Sequence, residues 1–182
     1  MPNPTINNTP TDSRSEKNIK TLLPQVQMLA RSLVHAAADL GITIKVISGY
    51  RTYAQQDALF MQGREPLSVV NKARKAAGMD EISAADNKKK VTPCKGGESN
   101  HNFQLAFDVG VFKGTSYLDE SPAYAAAAVL GKQLGLTWGG DFHSNVDKPH
   151  YELRPHWAVG MSESSMLAEL RKRVAAKKDL FA

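Results

Sequence analysis

The chain has 182 residues, of which 42% are apolar, enough for one domain that buries its own core without covalent staples. Its one cysteine, Cys94, excludes an internal disulfide and a cysteine-built zinc site, so any metal must be held by histidines and carboxylates. A net charge of +5 favours approach to anionic polymers, but no basic run is interleaved with aromatics, which argues against nucleic-acid binding.

Residues 1–14, rich in Pro, Asn and Thr, read as a flexible arm. From Glu16 to Leu40, the residues Leu22, Val26, Leu29, Leu33 and Ala37 recur at helical spacing; Gly41 stops the pattern, and Pro24 marks a break or a second helix start. His35 falls off that stripe and reads as a surface or packing residue. Ile42–Ser48 alternates apolar and polar residues like a half-buried strand, and a helix is expected over Tyr53–Met61. Residues 64–91 form a long, charged insertion with room for one short helix, either a substrate wall or a solvated excursion. After SNHNFQLAFDVG comes a turn-rich link, GVFKGTSYLDESP. A helix is expected from Ser121 to Gly135, a short strand around His150–Leu153, and a C-terminal helix over 162–178 with a basic last turn. The apolar run Ala123–Leu130 is too short to span a bilayer, and the start of the chain lacks a signal peptide's basic-then-apolar order. The expectation is synthesis into the cytoplasm and no stable membrane insertion.

Three segments hold polar residues that a plain core does not require: SGYRT at Ser48–Thr52, SNHNFQLAFD at Ser99–Asp108, and WGGDFHSNVDKPHYE at Trp138–Glu152. Each lies at a strand end or in a turn, where scaffolds present functional groups. A hydrolytic zinc takes about three protein ligands and keeps one position open. His101, Asp108 and His150 fill that set and leave the metal site net positive. In a continuous strand His101 and Asp108 point to opposite faces, so they converge only if the chain turns before LAFDV. By spacing alone, a half metal site and a polar loop entering a core strand are equal readings. Asp141, His143, Asp147, His150 and Glu152 are near one another in sequence, and Glu152 shares a strand face with His150 by alternation. Asp147 is a candidate for the proton-accepting carboxylate, but spacing does not choose the base.

In this order, the three segments resemble the zinc peptidases that include VanY-type D-alanyl-D-alanine carboxypeptidases and phage L-alanyl-D-glutamate endolysins, a group related in fold to the Hedgehog signalling domain. The resemblance rests on Ser48-Gly49-Tyr50-Arg51, Ser99, His101, Asp108, Asp147 and His150, and spans Ile42 to Leu153. It implies an α+β fold, a small antiparallel sheet carrying a zinc site and flanked by helices. It also implies one catalytic domain over residues 1–182 with no separate wall-binding domain. One Zn2+ would be held by His101, Asp108 and His150, with Asp147 as general base. Arg51 would hold a substrate carboxylate or polarised carbonyl, with Ser99 hydrogen-bonding near the same group. Trp138-Gly139-Gly140 resembles an endolysin element that borders the peptide cleft. Two departures stand out: Gln104 occupies a position that the family usually gives to glycine, and Asp147 replaces the glutamate used by some members.

The implied activity is hydrolysis of the L-alanyl-D-glutamate bond of peptidoglycan stem peptides by a monomeric, phage-type endolysin that lyses its host. It would act on the wall after release from the cytoplasm, its basic C-terminal helix touching the anionic envelope. The alternatives are a D-alanyl-D-alanine carboxypeptidase of the same family and a non-catalytic, zinc-containing binding module.

Overall fold

The computed structural model describes residues 3–181. Its contacts form two compact units within what the sequence reads as one domain. The first runs to Tyr50 and resumes from Gln104 to Val159; the second holds Arg51–Phe103 and the chain from Gly160 on.

In the first unit, the helical pattern expected over Glu16–Leu40 is two helices, α1 (Ser13–Ile19) and α2 (Pro24–Asp39). Pro24 is the first residue of α2, where its missing N–H costs nothing. Asp12 caps α1 by accepting hydrogen bonds from the backbone N–H groups of Arg14 and Ser15. The stretch read as a loose arm is tied down from Asn7: its N–H donates to Ser32 Oγ, Thr9 bonds His35, and Asn8 Oδ1 accepts from Arg31. His35 thus packs, as its position off the apolar stripe implied.

Strand β1 (Thr43–Ser48) pairs antiparallel with β2 (Ala106–Lys113). The other edge of β1 is covered by α1: Val46 N–H donates to Ser15 Oγ, and Asn18 Nδ2 donates to Val46 C=O, which removes the hazard of an open strand edge. On its far side β2 pairs with two strands at opposite ends, β3 (Ser116–Leu118) and β5 (His150–Glu152), and β4 (Thr137–Trp138) pairs with β5. The link GVFKGTSYLDESP is therefore a β2–β3 hairpin leading to helix α5 (Ala123–Gln133).

Alternation along β2 and β5 divides their side chains between two faces. Phe107 and Tyr151 are register partners, fully buried, with their rings stacked 5.7 Å apart. Helix α5 lies so close to Tyr151 that a Cβ on Gly131 would fall 2.5 Å from the ring. Burying two such rings is worth roughly 1.5–3 kcal/mol each. That packing fixes the register, and the register turns Asp108, His150 and Glu152 together onto the opposite face.

The second unit contains α3 (Tyr53–Met61), α4 (Leu67–Ala76) and α6 (Glu163–Ala175). Helix α3 has the expected bounds because Thr52 and Gln55 form a reciprocal capping box. Within 64–91, α4 supplies the helix, and the rest is held by side-chain bonds to backbone: Asn71 pairs with both backbone groups of Ile82, and Asn87 reaches Gly63 and Glu65. The C-terminal helix is shorter than the expected 162–178, capped at its start by Ser162.

Candidate metal centre

His101 lies in a tight 3-10 turn, Asn100–Phe103, with only 2% of its surface exposed. Asn102 organises that turn: its Oδ1 accepts from Gly97 N–H, and its Nδ2 donates to the carbonyl of Arg51. Arg51 N–H donates in turn to the carbonyl of His101, and Asn102 N–H to that of Ser99. The backbones of SGYR and SNHN are thus stitched together, with Arg51 and Ser99 half-buried beside His101. Nothing in the sequence singled out Asn102; only its hydrogen bonds reveal its part.

Between this turn and β2 stands Gln104, at a φ of +61°. That is the left-handed region, uncommon for any residue but glycine. The glycine usual in the resembled family would take this conformation without the Cβ penalty. Gln104 adopts it all the same, and its carbonyl accepts a hydrogen bond from Leu23 N–H.

On the sheet, Asp108 is the register partner of both Ser48 and His150. Its Oδ1 lies 3.4 Å from His150 Nδ1, and Glu152 Oε2 lies 2.9 Å from His150 Nε2. Burial works to lower the pKa of His150, but the hydrogen bonds and charges of Asp108 and Glu152 outweigh it and hold the imidazole up at about 10. His101, Asp108 and His150 each offer one ligand atom, and all three atoms lie within 4.8 Å of one another.

These residues fit zinc. Ligands about 2.0–2.1 Å from a tetrahedral ion stand roughly 3.3–3.5 Å apart, the spacing of Asp108 Oδ1 from His150 Nδ1. Two imidazoles and one carboxylate match the donor set of hydrolytic zinc sites, and the second carboxylate on His150 supports the ring from behind.

Over residues 20–134 the sequence matches the family VanY: D-alanyl-D-alanine carboxypeptidase. It is 30% identical over 145 residues to the peptidoglycan L-alanyl-D-glutamate endopeptidase CwlK of Bacillus subtilis (strain 168), covering 74% of this chain and 75% of that protein. The chain belongs to the VanY family. Two solved structures are similar to it. One is the L-Ala D-Glu endopeptidase ChiX of Serratia marcescens, with a TM-score of 0.49 and 20% identity over 79% of this chain and 89% of that one. The other is a substituted variant of a vancomycin resistance D,D-pentapeptidase VanY from a VanB-type resistance cassette, in complex with Zn(II), with a TM-score of 0.48 and 19% identity over 81% and 78%.

In this VanY-family chain the remaining acidic residues separate by position. Asp141 pairs with Lys132 at the surface, and Glu152 is bonded to His150. Asp147 and His150 stand at the two ends of one turn, His150 N–H donating to the carbonyl of Asp147. Gly139 clamps that turn: its carbonyl accepts from Asp147 N–H, and a Cβ there would lie 2.5 Å from the Asp147 carbonyl oxygen and 2.9 Å from His150 Cβ. Trp138 donates from Nε1 to the carbonyl of Lys148 at 2.7 Å. The WGG element, expected as a cleft border, thus holds the segment that carries Asp147 and His150.

Proposed function

We propose that this chain is a zinc-dependent peptidase that hydrolyses the L-alanyl-D-glutamate bond of peptidoglycan stem peptides. The observation that carries this reading is the convergence of His101, Asp108 and His150, which would hold the ion. When bound, zinc supplies a Lewis acid that polarises the scissile carbonyl and acidifies a water. Asp147 takes the proton of the attacking water and delivers it to the leaving amine. Its support is the clamped turn that ties its backbone to His150. Arg51 holds a substrate carboxylate or the polarised carbonyl, a task suited to a guanidinium fork, and Ser99 adds a hydrogen bond; both adjoin His101 through its turn.

The choice of bond is supported by the likeness to CwlK, a peptidoglycan L-alanyl-D-glutamate endopeptidase. The family's own description favours a second reading, removal of terminal D-alanine. The phage-type lytic role rests on the resemblance of WGGDF to an endolysin segment. Among the described residues no helix is long and apolar enough to cross a membrane. The exposed Lys172, Lys177 and Lys178 at the end of the chain would meet an anionic envelope.

Clearing of purified cell-wall suspensions tests the reading. Activity is expected with zinc, to be lost on chelation and recovered when zinc is restored. Full activity in the chelated protein would refute it.

A further inference from the structure

We infer that Glu152 is the positioning residue that selects which nitrogen of His150 meets the metal. This rests on the zinc reading above and adds a residue to it. His150 has two ring nitrogens with different neighbours: Nδ1 faces Asp108 Oδ1 at 3.4 Å, and Nε2 lies 2.9 Å from Glu152 Oε2. Asp108 is one of the three residues whose ligand atoms converge, so Nδ1 is the nitrogen on the metal's side. A neutral imidazole keeps one N–H, and a ligand nitrogen must be without it. A carboxylate at Nε2 accepts that proton's hydrogen bond, which fixes the N–H on Nε2 and leaves the Nδ1 lone pair for the ion.

The fold holds this arrangement with little slack. Glu152 follows His150 by two residues on β5, so alternation puts both on one face, and Glu152 is the register partner of both Ala106 and Thr137. It is 7% exposed and His150 8%. A carboxylate so far removed from water is costly to keep ionised without strong partners, and the imidazole is one of them. Ring orientation gains a further constraint from Phe142, whose ring centre lies 5.7 Å from that of His150. Glu152 therefore acts through His150, as an orienting partner behind a ligand.

The test compares the wild-type protein with Glu152→Gln and Glu152→Ala, using zinc affinity from competition with a chromophoric chelator. The magnitude typical of such partners predicts an affinity loss of roughly 10–100-fold for Glu152→Ala. Glu152→Gln, which keeps an acceptor oxygen in the same volume, recovers most of it; this rescue separates orientation from simple loss of packing. Nitrogen-15 NMR of the zinc-loaded wild type reads the assignment without any substitution and expects a protonated Nε2 and an unprotonated Nδ1 on His150. Zinc bound through Nε2, or equal zinc affinity in a folded Glu152→Ala variant, would overturn the inference while leaving the zinc reading intact. A wild-type protein that takes up no zinc would overturn both.

Discussion

Asp108 on β2 and His150 on β5 are partners in one antiparallel register pair, with Oδ1 and Nδ1 3.4 Å apart. The pairing is a product of core packing: Phe107 and Tyr151 stack on the buried face one residue along, so the same register that buries them sets the two polar groups against each other. Because Asp108 and His150 are both proposed ligands, His150→Ala or Asp108→Ala should weaken zinc binding by more than the roughly 100-fold expected of an orienting neighbour. Metal content after gel filtration checks this; a stoichiometric ion in either variant would contradict it.

Asp147 is assigned proton transfer and no share in holding the ion. Asp147→Ala should keep stoichiometric zinc and lose roughly 100- to 10,000-fold in hydrolysis, the range of general acid–base contributions. Metal analysis and wall-clearing rates, measured on the same preparation, separate this outcome from metal loss.

Gly139 leaves no space for a side chain, since a Cβ would lie 2.5 Å from the Asp147 carbonyl oxygen. Gly139→Ala should therefore displace the Asp147–His150 turn and cost about 1–3 kcal/mol in stability, the usual penalty of overpacking. Urea unfolding gives the stability and wall clearing gives the accompanying loss of activity. A variant indistinguishable from wild type in both would show that the turn is not clamped as described.

Gln104 holds a left-handed φ of +61°, at a cost for an L residue of about 1–2 kcal/mol. Gln104→Gly removes that cost and adds a smaller one, the extra freedom of glycine in the unfolded chain. The net expectation is a gain of roughly 0.5–1 kcal/mol with zinc affinity unchanged, whereas Gln104→Val should destabilise. Thermal melts of the two variants decide the sign.

Glu16 makes two hydrogen bonds to the guanidinium of Arg31, at 2.9 and 2.8 Å, in a largely buried setting. The Arg31 hydrogen bonds, acting against burial and assisted by Thr11, bring the Glu16 pKa down from 4.5 to about 2. A pKa lower in the folded state means stability that is complete above pH 4.5 and lost as pH falls towards 2, on the order of 3 kcal/mol. Glu16→Gln should lower stability at neutral pH and flatten the profile between those limits, as read by denaturant unfolding at a series of pH values.

Much of the scaffold was legible from local signals. Thr52 and Gln55 mark the start of α3, Pro24 the start of α2, and the alternation in TIKVIS the strand β1. Strands β3 and β4 were not legible, because three and two residues become strands only through their partners on β2 and β5. The ligand candidates were visible as residue types in order, and alternation placed Glu152 with His150. The left-handed conformation of Gln104 was not, since no glycine announced it. Nor was the part of Gly139, whose constraint is a carbonyl eight residues away in sequence.

The most direct measurement is mass spectrometry of muropeptides digested by the zinc-loaded protein. Fragments that begin with a free amino group on D-glutamate are expected with wild type and absent with Asp147→Ala. Release of D-alanine with the L-alanyl-D-glutamate bond intact would contradict this expectation.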